Sequence, residues 1–189
     1  MLYKVINRRN RSKTLFKDQN YNFYDHRKFG KFILYDNWKP VEKELAKLGP
    51  DILLSPPTEE EFLALFSGRR KNICAVLMDQ AILCGIGNYI KNEALYSAKI
   101  NPLSSAGNIP SKNLLLLRSE IIRITQKSLE LQGATLSTFR NLDDKPGEFQ
   151  TFLQVYKKKQ DPLGNQIQEI DTPDQRKTYW VKEIQTIGV

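Results

Sequence analysis

The chain has 189 residues, 40% of them hydrophobic and 26% charged, with a net charge of +8. That length supports one sizeable core, or one helical domain with smaller appendages, and the composition is that of a globular protein. The longest aliphatic runs, Leu53-Leu54 and Leu114 to Leu117, are too short to span a bilayer, and Met1-Leu2-Tyr3-Lys4 opens no signal-peptide core. No membrane partner and an intracellular location are therefore expected. Cys74 and Cys84 sit in apolar stretches with no CxxC pair. They read as buried thiols rather than a disulfide or a zinc site, and neither a metal nor another cofactor is expected.

The positive excess is clustered. Lys4, Arg8, Arg9, Arg11, Lys13 and Lys17 precede the first acid, Asp18; Arg69, Arg70 and Lys71 form a second group, and Lys157, Lys158 and Lys159 a third. From charge alone, a polyanion partner and an inert solvated surface are equally good explanations.

In chain order, residues 1 to 19 are polar, basic and poor in pattern. Residues 20 to 37 read as β-structure: Asn22 to Asp25, a break at His26-Arg27-Lys28, then Phe32 to Tyr35. Pro40 opens a short helix through Leu45 and Leu48 that Gly49-Pro50 ends. Thr58 and Glu61 fit a capping box, with Phe62, Leu65 and Phe66 as the inner face of the helix and Gly68 at its close. Residues 73 to 83 are an apolar segment of helical length, interrupted by Gly85-Ile86-Gly87-Asn88. A second helix follows, with Ile90, Ala94 and Leu95 inside, and stops at Asn101-Pro102. A third begins near Pro110-Ser111, repeats Leu114, Leu117, Ile121 and Ile124 at helical spacing, and ends at Gly133. Thr135 to Phe139 fit one more short helix. From Phe152 the pattern changes to strands: Phe152 to Tyr156, a turn at Asp161 to Asn165, then Ile167 to Ile170 and Thr178 to Ile184. The class is α+β, a helical domain followed by an antiparallel hairpin.

The strongest local feature runs from Leu77-Met78-Asp79-Gln80 through Gly85-Ile86-Gly87-Asn88 to Glu93-Ala94-Leu95. A helix whose first turn follows a Gly-containing bend presents free backbone N–H groups to an anion, and Asn88 adds a side-chain donor. Gly-x-Gly by itself also describes an ordinary helix–helix turn, and no strand precedes it, so a dinucleotide fold is not indicated. As a whole the segment resembles the helix–two-turns–helix signature of the formamidopyrimidine-DNA glycosylase and endonuclease VIII family, LLDQ followed by GxGNxxxxEAL. The resemblance implies that Asn88 holds a DNA phosphate, with Gly85 and Gly87 admitting the backbone; Asp79 and Glu93 read as structural. Asp25-His26-Arg27-Lys28-Phe29-Gly30 resembles the family loop D-x-R-[RK]-F-G, in which Arg27 would contact the base opposite the lesion and Phe29 would wedge into the stack. Leu48-Gly49-Pro50-Asp51 matches the family's interdomain linker. Gly133 to Tyr156 matches the stretch leading to its C-terminal finger. Arg70, from the second basic cluster, joins the DNA-binding set.

Two departures accompany the match. The family's finger holds zinc with four cysteines, but the equivalent positions here are Leu163, Gln166, Val181 and Ile184, none a zinc ligand. A zincless finger is expected, with Leu163, Val181 and Ile184 packing in place of the metal. Arg176 falls on the finger arginine that grips phosphates and assists the elimination step. The second departure lies at the start of the chain. The family begins Met-Pro-Glu, its proline amine attacking C1′ and its Glu acting as general acid, whereas no Pro precedes Pro40 and no Glu precedes Glu42. Residues 1–40 are thus expected to be a remnant of the N-terminal β-sandwich, of marginal stability, 41–150 the helix–two-turns–helix domain and 151–189 the zincless-finger hairpin. The function implied is a base-excision-repair glycosylase/AP lyase of endonuclease VIII-like type acting on oxidised bases, with the nucleophile absent from this chain. The alternative is a non-catalytic module that binds damaged DNA. Expected partners are double-stranded or lesion-containing DNA and a separate N-terminal fragment; the chain itself reads as a monomer.

Overall fold

The computed structural model describes residues 3–7, 11–16, 19–24, 33, 35, 37–133 and 148–188. The chain divides into two compact units, Met1–Glu42 and Lys43–Val189.

The first unit is an antiparallel sheet of β1 (Tyr3–Asn7), β2 (Arg11–Phe16) and β3 (Gln19–Tyr24) in the order β1-β2-β3. β2 and β3 pair without interruption from Arg11 opposite Tyr24 to Phe16 opposite Gln19. Two of these strands lie where the sequence offered no pattern. Val5-Ile6 and Thr14-Leu15-Phe16 are good strand formers, but lysines and arginines interleave with them and mask the signal; strand preference depends on cross-strand partners more than on the residue alone. β3 matches the first expected strand. Ile33 and Tyr35, from the second, lie in no regular structure and are exposed. The loop carrying Arg27 and Phe29 and the expected helix at Thr135 to Phe139 lie outside the described residues. The unit boundary falls within α1 (Trp38–Leu45), a helix with no buried residue. It starts two residues before Pro40, the φ of which suits a first helical turn.

The second unit contains α2 (Glu59–Phe66), α3 (Ile73–Leu77), α4 (Asn88–Ser97), α5 (Ser111–Glu130), β4 (Gln168–Thr172) and β5 (Arg176–Trp180). Phe62 and Phe66, Ile73, Cys74, Val76 and Leu77 of α3, Ile90, Ala94 and Leu95, and Leu114, Leu117, Ile121 and Ile124 converge on one core with Phe149 and Leu153. The capping box is present: the Glu61 N–H donates to the Thr58 hydroxyl and the Thr58 N–H to the Glu61 carboxylate. Cys74 is buried and unpaired, and burial pushes its thiol up to about 11; Cys84, expected to be buried, is only half-buried.

α3 is much shorter than the apolar run suggested. Its last turn gives way to a loop built by Asp79 and Gln80. The Asp79 carboxylate accepts the Ala81 N–H, and the Gln80 amide accepts from the Gly85 N–H at 3.0 Å and donates to the Ile86 carbonyl at 3.1 Å. Phe152 to Tyr156 is likewise no strand: the Phe152 N–H turns back to the Phe149 carbonyl, and one side-chain carboxylate takes those of Gln154, Val155 and Tyr156. β5 ends at Trp180 rather than Ile184: the Val181 N–H turns to the Gln185 side chain, and Ile184 folds back on the Val181 carbonyl.

The segment Gly49 to Ile52 lies against this loop. The Gly49 N–H donates to the Gln80 carbonyl at 2.9 Å, and Cys84 pairs with the Pro50 carbonyl and the Ile52 N–H. A Cβ on Gly49 would stand 2.5 Å from the Ile82 carbonyl carbon and oxygen, which are backbone and cannot swing away. Gly49→Ala is therefore expected to destabilise the second unit by about 1–3 kcal/mol, as overpacking does. A thermal melt with an unchanged midpoint would contradict this close approach.

Candidate nucleic-acid interface

α4 begins directly from Gly87, an extended residue that offers no side-chain cap. Among the described residues, the N–H groups of Asn88, Tyr89 and Ile90 find no acceptor, and the helical pattern starts with the Lys91 N–H donating to the Gly87 carbonyl. Three donors at the positive end of a helix are therefore left without a helical partner. Gly85, at φ +93, makes the reversal that a side chain would strain, and no atom lies within 4 Å of a Cβ built on Gly87. The Asn88 amide is fixed: its Nδ2 donates to the Lys177 carbonyl at 3.1 Å, and its Oδ1 accepts from the Asn92 amide at 3.3 Å.

Lys177 belongs to the hairpin, so the turn and the hairpin tip meet. β4 and β5 pair from Gln168 opposite Trp180 to Thr172 opposite Arg176. The loop Pro173-Asp174-Gln175 is closed by the Gln175 N–H on the Thr172 carbonyl, with Gln175 at φ 59, the left-handed residue that a three-residue hairpin loop needs. Arg176 is exposed at the start of β5, next to the residue that holds Asn88. The neighbouring Lys177 ammonium pairs with Asp171 at 2.9 Å and Glu169 at 3.6 Å.

Beneath this surface α4 is tied to the chain by three successive polar side chains. Lys91 and Asp174 form an ion pair of 2.7 Å with side chains 0% and 2% exposed. Breaking one side of such a pair typically costs about 3–5 kcal/mol, whereas replacing both with neutral groups of similar volume is often close to neutral. Asn92 accepts the Tyr179 N–H. The buried Glu93 carboxylate accepts the N–H groups of Gln154, Val155 and Tyr156 at 2.8, 3.0 and 2.8 Å. Burial pushes the Glu93 carboxyl up, against those three donors. Glu93 is thus structural, as is Asp79, whose carboxyl the Lys71 ammonium at 3.0 Å holds low. Lys91, Asn92 and Asp174 were not among the residues expected to matter. The available signal was Lys91-Asn92-Glu93, three polar residues in a row on a helix whose other faces are apolar, which cannot all reach solvent.

The structure thus brings together Asn88, Gly85, Gly87 and Arg176. Arg70 is exposed in the loop between α2 and α3, and no contact joins it to that group.

The finger is closed differently from expectation. Val181 is buried and Ile184 half-buried, packing with Tyr96, Val155 and Ile167, but Leu163 is 77% exposed. Asp161 fixes the turn that carries Leu163. Its carboxylate accepts the N–H groups of Leu163 and Asn165 at 2.9 and 2.8 Å, the Asn165 amide at 2.9 Å and the Tyr96 hydroxyl at 3.0 Å. With its N–H turned inward, the side chain of Leu163 points to solvent. Leu163, Gln166, Val181 and Ile184 carry no thiolate, imidazole or carboxylate and do not fit zinc. Among the described residues, no three His, Cys, Asp or Glu cluster as a metal site would require.

Burial raises the Asp161 carboxyl, but the hydrogen bonds from Asn165, Tyr96 and Leu163 outweigh it and hold the group below its ordinary 3.8. A carboxyl depressed by folding contributes stability above its unfolded value, and that contribution is lost as pH falls through the lower folded value. The thermal midpoint should therefore fall in acid below 3.8, and Asp161→Asn, which cannot ionise, should start lower at neutral pH and fall less steeply. Parallel pH profiles for the two proteins would remove Asp161 as the closing group.

A helix–turn–helix arrangement with an uncapped helix N-terminus, joined to a C-terminal hairpin, defines the helix–two-turns–helix class. The family model described as Formamidopyrimidine-DNA glycosylase H2TH domain matches residues 48–140, and that described as Formamidopyrimidine-DNA glycosylase C-terminal domain matches 140–186. Formamidopyrimidine-DNA glycosylase of Shewanella denitrificans is 38% identical over 151 residues, 78% of this chain and 56% of that protein. The enzyme of the same name from Photobacterium damsela subsp. piscicida is 35% identical over 169 residues, 86% of this chain and 61% of that protein. A mutant of Lactococcus lactis Fpg, solved in complex with DNA containing Fapy-dG, superposes with a TM-score of 0.81 at 27% identity, covering 96% of this chain and 68% of that one. MutM (Fpg) of Thermus thermophilus shares the fold, with a TM-score of 0.82 at 23% identity over 98% of this chain and 72% of that one. The chain belongs to the formamidopyrimidine-DNA glycosylase/endonuclease VIII family. It spans about half the length of the curated relatives it matches, 56% and 49% for two of them.

Proposed function

We propose that this chain holds lesion-containing duplex DNA as part of a base-excision-repair glycosylase/AP lyase that acts on oxidised bases. The observation that carries the reading is the meeting of the α4 N-terminus with the hairpin through the Asn88–Lys177 hydrogen bond of 3.1 Å. Three free N–H groups, an oriented amide and an exposed guanidinium then lie on neighbouring residues, the donor set that a phosphate backbone requires. Asn88, Gly85 and Gly87 would receive one phosphate and Arg176 another, with Arg176 also assisting elimination; Arg70, Arg27 and Phe29 complete the DNA-binding set. The nucleophilic amine and the general acid are assigned to no residue here. The domain reading keeps 41–150 as the helix–two-turns–helix domain and 151–189 as the hairpin, after a sheet-bearing segment 1–40.

The partner is double-stranded DNA with a lesion, and the working place of the protein is inside the cell, at DNA. Among the described residues no helix is long and apolar enough to cross a membrane. Two neighbours of known structure, Lactococcus lactis Fpg bound to DNA with Fapy-dG or with an abasic site, lend support to this choice of ligand. The second reading, a non-catalytic module for damaged DNA, uses the same donors, which lie within the matched domains 48–186.

Binding to an abasic-site duplex, followed by fluorescence anisotropy across a salt series, tests the shared part of both readings. Affinity should fall steeply with salt; Asn88→Ala and Arg176→Ala should each weaken binding about five- to tenfold, and Arg176→Ala, which removes a charge, should also flatten the salt slope by about one contact. Affinity insensitive to either variant would remove the interface. Borohydride added to the same mixture separates the two readings: a covalent adduct assigns imine chemistry to the chain, and binding without an adduct assigns it the module role.

A further inference from the structure

Four side chains under the interface close a ring. The Lys91 ammonium donates to Asp174 Oδ2 at 2.7 Å and to the Thr178 hydroxyl at 2.8 Å; the Thr172 hydroxyl binds Asp174 Oδ1 and lies 2.7 Å from the Thr178 hydroxyl. Lys91 stands one helical turn after Asn88, and Asp174 two residues before Arg176. With side chains 0% and 2% exposed, neither can touch a ligand.

A buried ion pair is a poor source of stability compared with apolar packing of the same volume, but it is directional: it tolerates one register and one distance. The register matters here, because a one-residue slip of a strand turns every side chain to the opposite face. Among the described residues, two further hydrogen bonds relate this end of the helix to β5: Asn88 to the Lys177 carbonyl at the surface, and the Tyr179 N–H to Asn92 beneath it.

We propose that Lys91 and Asp174 are positioning residues, whose ring with Thr172 and Thr178 sets the spacing between the α4 N-terminus and Arg176 so that both engage one duplex backbone. This rests on the DNA-binding reading given above. The ring does not bind DNA; it converts two separate phosphate contacts into a simultaneous pair.

The test uses the full chain and a short duplex with a tetrahydrofuran abasic-site analogue. The double variant Lys91→Met/Asp174→Asn removes both charges, so neither is left buried alone. It should melt cooperatively, bind the duplex about tenfold more weakly and lose about one contact from the salt slope. Arg176→Ala, which weakens binding in the natural background, should add nothing further in the double variant. A merely structural role would lower the folded fraction and leave the salt slope and the Arg176→Ala increment unchanged, and that result overturns the proposal. Should the double variant fail to fold, Thr178→Val removes one partner of Lys91 at nearly constant volume. A smaller loss of the same sign then supports the ring, and an undiminished Arg176→Ala increment rejects it. Absence of duplex binding by the natural chain would instead overturn the DNA-binding reading, and the two failures are thereby distinct.

Discussion

Lys91, Asn92 and Glu93 project from one turn of α4 into places where water does not reach, and each meets a different stretch of the C-terminal segment. Glu93 gathers three N–H groups of residues 154 to 156, Asn92 takes the Tyr179 N–H, and Lys91 reaches Asp174 and Thr178. A buried backbone donor left without an acceptor is costly, so these side chains do for the C-terminal segment what strand partners do in a larger sheet. A two-stranded ribbon is marginal by itself in water. Here it is completed by a helix, and its tip is carried to the helix N-terminus by the same contacts.

That dependence explains which parts of the fold the sequence made legible. Local signals were reliable: the Thr58–Glu61 capping box, the repeat of Leu114, Leu117, Ile121 and Ile124 in α5, and the pairing of β4 with β5 all formed as their patterns required. Reading failed where a side-chain hydrogen bond, distant or local, decided the path of the chain. Phe152 to Tyr156 has the alternation of a strand, but a carboxylate 61 residues earlier claims its N–H groups, beginning with that of Gln154. The run from Ile73 to Leu83 is apolar enough for a longer helix, but Gln80 spends its amide on Gly85 and Ile86 and turns the chain. β1 and β2 were hidden because basic residues interrupt their strand formers.

The interface was legible in its parts but not in its assembly. Asn88 and Arg176 are separated widely in sequence, and nothing in either motif states that Lys177 would offer its carbonyl to Asn88. The buried pair beneath them was detectable only as an oddity, a lysine in a helix with core residues on both sides. Leu163 shows the converse error. Its place in the alignment suggested packing, but the hydrogen bonds of Asp161 determine the path of the turn and leave the side chain outside.

The closure of the finger by Asp161, Tyr96, Val155 and Val181 has a further bearing. Residues 151–189 contain neither cysteine nor histidine. Chelators cannot strip this hairpin, and peroxide has no thiolate in it to oxidise. Its closure thereby needs no metal supply, the variable to which a cysteine-bound finger is tied.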